Sequence, residues 1–395
     1  MIRKAFGIFC FAGFLSLQSV WGVGKTTLVI GYAELDGDPR YLLDRRYAGI
    51  EFKPRGRPLP GAEVAMRESR ILSRAIGVKF KLEKVTGNNA VELAAAVNRL
   101  HKEQNTPFIL VDAQAETLLT IADTTQGKPL LLFNISESAD ELRGNQCRPH
   151  MMHTIPSYAM LADGLAQYLV TKQWKKLLLL QGTLPSDQAL GQALRRASKK
   201  FGLRITEERK FVLSNDPRQR DQNNIALLTT HQSDVIMLVD SDGEFGRYVP
   251  YQTFHPRPVV GTEGLVPSAW HWAWERHGAP QLNQRFVKKA KRKMLDGDWA
   301  AWAAVKVIVE SVLRTKSTDF EKVAGYLKSD RLTLDAYKGT PASFRPWNNQ
   351  LRQPILLHTH NAVVDRAPLR GFLHPTQNLD TLGVTSEGSG CRIED

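Results

Sequence analysis

The sequence predicts an α/β protein made of two doubly wound parallel-sheet lobes. Three observations lead there. Short apolar runs of strand length alternate with longer amphipathic stretches, the pattern of a parallel sheet covered by helices on both faces. The alternation runs through two consecutive series of similar design, the second beginning near Tyr158. Neither series carries a glycine-rich dinucleotide fingerprint.

In the first series, Leu28 to Ala33 (LVIGYA) is a short apolar strand. Gly61 to Gly77 follows as one amphipathic helix, with Ala62, Ala65, Met66, Ser69, Leu72 and Ile76 at helical spacing. Val78 to Val85 alternates like a strand, and Asn89 to His101 reads as a helix capped by Asn88 or Asn89. Phe108 to Val111 and Leu130 to Phe133 are brief buried-strand runs. The second series has helix Ala159 to Thr171, strand Lys176 to Leu180, helix Ser186 to Phe201 and strand Leu203 to Phe211. A helix starts at Asp216-Pro217, where the acid suits the cap and proline the first helical position. Strands Val235 to Val239 and Pro258 to Val260 complete the series. Beyond lie helices Gln281 to Leu295 and Trp299 to Thr315, a strand-like Pro354 to Leu357 and an irregular tail.

The 395 residues, 42% hydrophobic and 24% charged, make an ordinary globular composition with room for two or three domains. Disorder, collagen and coiled coil are excluded by the same figures. Residues 1–22 have the layout of a secretory signal: Arg3 and Lys4, an apolar run from Ala5 to Leu17, and small Gly22 at the end. Cleavage near Gly22 is expected, with the protein exported. Loss of Arg3 and Lys4 takes the net charge from +13 to +11, which allows anionic partners and selects none. Cys147 and Cys391 are the cysteines left after the leader; in an oxidising compartment they either pair, pinning the tail, or stay as buried thiols.

Several motifs dissolve on inspection. Gly24-Lys25-Thr26-Thr27 resembles the end of a phosphate loop, but Ser19 stands where its first glycine belongs. Asp240 to Glu244 lacks the spacing of a calcium loop, and His271, Glu275 and His277 lack that of a zinc helix. His150/His153 and His358/His360 are isolated pairs, and no nucleophile elbow occurs. Neither catalysis nor a catalytic cofactor or metal is expected.

Asn134 to Gly144 (NISESADELRG), Pro149 to His153 and Thr154 to Leu169 together resemble one stretch of the type I periplasmic binding proteins, the branched-chain amino acid group of ABC-transporter substrate-binding proteins. In that group a serine-rich turn after a first-lobe strand meets the ligand, and a Thr-x-Pro-Ser segment carries the chain into the second lobe. The resemblance extends from about Leu28 to Leu357. A narrower one rests on Phe211 to Asn224 (FVLSNDPRQRDQNN), Asp242 to Tyr251, Ala269 to Leu282, Ser343 to Asn348, Gln350 to Leu356 and Gly371 to Pro375. These runs are similar to the subgroup associated with pyrroloquinoline quinone-dependent alcohol oxidation. The resemblance implies a monomer that captures a small ligand between lobes and hands it to an ABC permease with its ATPase. Its implied ligand is the quinone itself; a substrate or product of alcohol oxidation, or an amino acid, are the alternatives. An exported α/β enzyme and a charge-driven nucleic-acid binder are alternatives of other classes; export argues against the latter. It also implies a hinge crossed three times, near Thr154 to Tyr158, Gly261 to Leu265 and Phe344 to Leu351. Lobe one would hold residues 28–155 and 265–345, and lobe two 156–264 and 346–395.

The sequence departs from the amino-acid binders at Glu34 to Pro60, an insert carrying Arg40, Arg45, Arg46, Lys53, Arg55 and Arg57 beside Tyr41 and Tyr47. Arginine forks pair carboxylates, so Arg40, Arg45 and Arg46 are candidates for a tricarboxylate. Trp270, Trp272 and Trp274 are candidates to stack on its rings, with lobe core as the alternative. Trp299 and Trp302 read as core. Asn134, Ser136 and Ser138 lie at a strand's carboxyl end, where ligands of such sheets bind. Ser157, Tyr158 and, in the second lobe, Asp240 complete the expected ligand set.

Overall fold

The computed structural model describes residues 26–42, 51–212, 218 and 222–393. Residues 1–22, expected to be a leader, together with Arg45, Arg46 and the helix start expected at Asp216-Pro217, therefore lie outside the described residues. The first sheet has the order β2-β1-β3-β4-β5. Its strands are β1 (Thr26–Leu35), β2 (Val78–Gly87), β3 (Phe108–Asp112), β4 (Leu131–Asn134) and β5 (Met151–His153), all paired in parallel. The second sheet has the order β7-β6-β8-β9. It comprises β6 (Lys176–Gln181), β7 (Arg204–Lys210), β8 (Val235–Val239) and β9 (Val259–Gly261), again parallel.

Helices cover both faces of the first sheet, and two long helices share one face of the second. Around the first lie α1 (Leu59–Glu68), α2 (Arg70–Ala75), α3 (Ala90–Gln104) and α4 (Ala115–Thr125). The second carries α5 (Tyr158–Thr171) and α6 (Pro185–Lys200). The chain then returns to the first lobe as α7 (Ala279–Ala290), α8 (Asp296–Thr315) and α9 (Phe320–Lys328). Burial explains the return. Trp299, Trp302, Val305 and Ile308 of α8 share one core with Ile30 and Tyr32 of β1 and Phe108 of β3, and the other face of that sheet packs on α3 and α4. α1 approaches α8 closely because Gly61 has no side chain; a Cβ there would sit 2.0 Å from the Asp298 carbonyl oxygen.

The last strands form the connection between lobes. β10 (Val266–Ser268), β13 (Ile355–His358) and β14 (Val363–Ala367) make a small antiparallel sheet, and β11 (Ser343–Phe344) pairs with β12 (Leu351–Arg352). Leu356 belongs to the core of lobe one, whereas its neighbours Ile355 and Leu357 belong to that of lobe two. The tail is ordered: Leu369 and Leu382 are buried in lobe two, and Cys391 then joins Cys147 of lobe one in a disulfide with Cα atoms 5.6 Å apart.

Two expectations change. The single helix over 61–77 breaks into α1 and α2 at Ser69, whose N–H and hydroxyl both donate to the Ala65 carbonyl. α4, unexpected from the sequence, links β3 to β4. Among the described residues, no helix is long and apolar enough to cross a membrane.

Candidate functional site

In sheets of this kind the carboxyl ends of the strands open onto a crevice, because the helices that follow leave backbone and polar side chains there. The first lobe brings Glu34 of β1, Asp112 of β3 and Asn134 of β4 to such an edge, all buried. The second brings Gln181 of β6, Asp240 after β8 and Thr262 after β9. The described parts of the insert touch both.

At its near end, Arg40 is held by acids. Its Nε donates to both Asp38 oxygens at 3.1 Å, and its Nη2 to Asp38 Oδ2 at 2.7 Å and Asp112 Oδ1 at 3.0 Å. Nη1 donates to the Ser136 hydroxyl at 3.0 Å, and the Tyr41 phenol donates to Asp112 Oδ1 at 2.9 Å. Burial works against the Arg40 charge, yet Tyr41, Asp38 and Asp112 outweigh it and hold its proton more tightly than usual. Burial also raises the Asp112 carboxyl, against the pull of Arg40. Arg57 lies 3.3 Å from Glu34 and donates to the Leu35 carbonyl at 2.8 Å.

Further along the insert, residues 52–55 reach lobe two. Lys53 Nζ donates to the Asp240 carbonyl at 2.6 Å and the Thr262 carbonyl at 3.4 Å, with Glu263 at 4.0 Å. Arg55 pairs with Asp242 at 3.3 Å, and the Arg247 guanidinium lies 4.5 Å over the Phe52 ring. Burial lowers the Lys53 pKa, partly offset by Glu263 and Asp240.

The sequence family described as periplasmic binding protein matches residues 71–225. Solved structures match over nearly the whole described chain. A branched chain amino acid ABC transporter periplasmic ligand-binding protein from Burkholderia xenovorans LB400 has a TM-score of 0.65 at 15% identity, covering 84% of this chain and 89% of that one. The fold is that of a type I periplasmic binding protein. A solute binding protein of an ABC transporter from Rhodopseudomonas palustris BisB5, in complex with 3,4-dihydroxy benzoic acid, gives 0.61 at 12% identity over 84% and 93% of the two chains. An ABC transporter substrate-binding protein from Desulfitobacterium hafniense in complex with Leu gives 0.62 at 14% identity over 85% and 99%. No curated protein matches in sequence.

Within this binding-protein fold the expected residues take different places. Arg40 and Ser136 meet directly. Asn134 shapes the serine turn instead of facing outward: its Oδ1 accepts from the Glu137 N–H at 2.9 Å, and its Nδ2 donates to the Glu137 carbonyl at 2.8 Å. Ser138 accepts the Tyr158 N–H on its carbonyl at 2.9 Å, and the Ser157 hydroxyl caps α5 by accepting from Met160 N at 3.2 Å. Burial, then Glu137 and Asp140, raise the Tyr158 phenol. The Asp240 carboxylate closes its own turn, accepting the N–H groups of Gly243 and Gly246 at 2.9 and 2.6 Å.

The tryptophans stand apart. Trp270 and Trp274 are buried in the core of lobe one. Trp270 donates its indole N–H to Asn283 and Trp274 to the Tyr337 carbonyl, both at 2.9 Å, so neither has an open face or a spare donor. Trp272 is half-buried with the Lys293 ammonium 3.3 Å over its ring. These three were candidates to stack on a ligand; core packing, the alternative, takes Trp270 and Trp274, and Lys293 lies over one face of Trp272.

Glu34, Asp38 and Asp112 are the site residues that sequence reasoning missed. Asp112 had a signal: an acid standing directly after the apolar run Phe108 to Val111. Among the described residues, no group of three or more His, Cys, Asp or Glu side chains is placed to hold a metal ion.

Proposed function

We propose that the protein is an exported solute-binding component of an ABC transporter, which captures a small carboxylated ligand between its lobes and delivers it to a permease. The observation that carries the reading is the convergence of Arg40, Lys53, Arg55 and Arg57 on the strand ends of both sheets. Hinge closure around the ligand and differential affinity of open and closed forms suffice for transport, with no chemistry performed. Pyrroloquinoline quinone is the ligand of this reading. It would take Arg40, Ser136 and the expected Arg45 and Arg46 as partners, and its carboxylates would compete with Asp38 and Asp112 for the Arg40 fork.

A second reading, an amino acid, is favoured by one observation. The carbonyls of Asp240 and Thr262 already accept an ammonium, that of Lys53. The Leu complex of the Desulfitobacterium hafniense neighbour is compatible with it. Calorimetry with the quinone and with a panel of amino acids, together with mass spectrometry of whatever copurifies from the periplasm, decides between them. Micromolar, 1:1 binding of the quinone is expected. Binding of an amino acid with indifference to the quinone transfers the protein to the second reading.

A further inference from the structure

We propose that residues 51–57 form a latch across the cleft, with Lys53 as the group that engages lobe two and keeps the ligand-free protein closed. The proposal rests on the cleft reading above and adds its regulation. One end of the segment is fixed to lobe one. Arg57 lies against Glu34 and donates to the Leu35 carbonyl, while its own carbonyl accepts from Arg292 Nη2 at 2.9 Å. Gly56 packs under the same arginine; a Cβ there would lie 2.3 Å from Arg292 Nε. From this anchor the chain extends to the other lobe and touches two separate strand ends.

Lys53 reaches the carbonyl after β8 and the carbonyl after β9, and its methylenes run beside Gly243. Arg55 holds Asp242, and Phe52 lies under Arg247. All three contacts join lobe one to lobe two, so opening the cleft must break them together. A partly buried ammonium bonded to two carbonyl oxygens is costly to leave half-bonded, which couples its release to opening. The carboxylates near the ammonium, those of Glu263, Asp240, Asp187 and Asp242, oppose the lowering of its pKa by burial. A ligand entering the cleft must therefore displace Lys53 or bind after the latch has let go, and its apparent affinity falls by the fraction of molecules that are open.

The test needs no ligand. Lys53→Met keeps the methylene packing and removes the ammonium; Arg55→Ala removes the second contact. Ligand-free protein is measured by small-angle X-ray scattering and by hydrogen exchange of segments 51–57 and 240–247. Lys53→Met is expected to raise the radius of gyration above wild type and to speed exchange in both segments at least tenfold, with the circular dichroism of the fold retained. Arg55→Ala should move both in the same direction by less, and it decides the question if Lys53→Met fails to fold. Unchanged dimensions and exchange in the folded variants overturn the latch. Because every readout is taken without ligand, failure to bind quinone or amino acid would sink the proposed function and leave this result standing.

Discussion

Arg345 and Asp380 face one another wholly inside the protein: Arg345 Nε donates to Asp380 Oδ1 at 2.9 Å, and each side chain is 1% exposed. The pair joins the β11 turn to the C-terminal tail. Arg352 reaches the same carboxylate at 2.9 Å, and Arg345 Nη2 donates to the carbonyls of Leu379 and Leu382. Burial lowers the Arg345 pKa, with Asp380 working the other way. Removing the acid strands two arginines, one of them without water. Asp380→Ala is expected to lower the unfolding free energy by about 3–5 kcal/mol in urea titrations, because a broken buried pair leaves an uncompensated charge. A loss below about 1 kcal/mol would mean that the arginines find other partners.

The same tail ends in a covalent bond to the opposite lobe. Residues 369–382 dock on lobe two, while the Cys147–Cys391 disulfide spans 244 residues of sequence to lobe one. Lys200 of α6 holds the tail partway by donating to the Thr381 and Gly383 carbonyls at 3.0 and 3.1 Å. Cys391→Ser is expected to cost about 2–5 kcal/mol of stability, chiefly by freeing the unfolded chain. Denaturant melts of oxidised wild type and of the variant measure it. Equal midpoints would show that the bridge contributes nothing.

Most of the fold was legible in the sequence, because buried parallel strands read as short apolar runs and the helices between them keep their period. β3 and β8 lie where the runs at 108 and 235 put them, and Asn89 caps α3 by accepting from Glu92 N. α4 was not legible: it starts without a side-chain cap three residues after β3, and the acid Glu116 in its first turn is a weak start signal. The site was legible only in part. Charge in the insert is a sequence property, but which acids neutralise it is not. Asp38 is near Arg40 in sequence, whereas Asp112 arrives 72 residues later through the pairing of β1 with β3. Which of the three tryptophans packs into the core was hidden for the same reason. Their spacing is visible, but the burial of Trp270 against Trp299, with ring centroids 6.3 Å apart, depends on a helix that comes much later in the chain.

The approach of α1 to α8 gives a steric prediction. A methyl at position 61 would collide with the backbone at Asp298, which cannot yield as a flexible side chain would. Gly61→Ala is expected to lower the unfolding free energy by about 1–3 kcal/mol, the usual cost of overpacking. Denaturant melts check it, and an unchanged midpoint would mean that the two helices separate without cost.

A stacked histidine pair at the connection between lobes predicts a pH effect. The rings of His271 and His358 lie 3.9 Å apart, and His271 Nδ1 accepts the Ala273 N–H at 3.3 Å, which requires the neutral ring. Burial, then His358, Lys293 and His360, push His271 down to about 3, and half-buried Asp296 faces His358. The unfolded chain takes up this proton near pH 6.5 and the folded one does not. Stability from this group is therefore complete above about pH 6.5 and is lost as pH falls toward 3, by up to about 1.4 kcal/mol per pH unit. Asp163 and Asp298, pushed up to about 6 by burial, act in the opposite sense. The variant isolates the histidine: His271→Phe should lose less stability than wild type between about pH 7 and pH 5. Parallel curves would exclude a role for this ring.

The ion pairs of Arg40 give the prediction nearest to function. Asp112 is buried and raised by that burial, and Arg40 is the cation beside it. Arg40→Ala therefore does two things at once. It removes a candidate partner of a carboxylated ligand, and it leaves the Asp112 charge without its counterion. The first effect should weaken quinone binding by roughly 2–5 kcal/mol if the fork contacts the ligand. The second should destabilise the fold by about 2–4 kcal/mol, an effect of a broken pair and not of a lost ligand contact. A double variant separates them. Arg40→Ala with Asp112→Asn keeps the shape of the acid without its charge, so most of the stability should return while quinone affinity stays low. Recovery of both would assign Arg40 to the fold alone, and recovery of neither would mean that Asp38, not Asp112, is the carboxylate that needs the arginine.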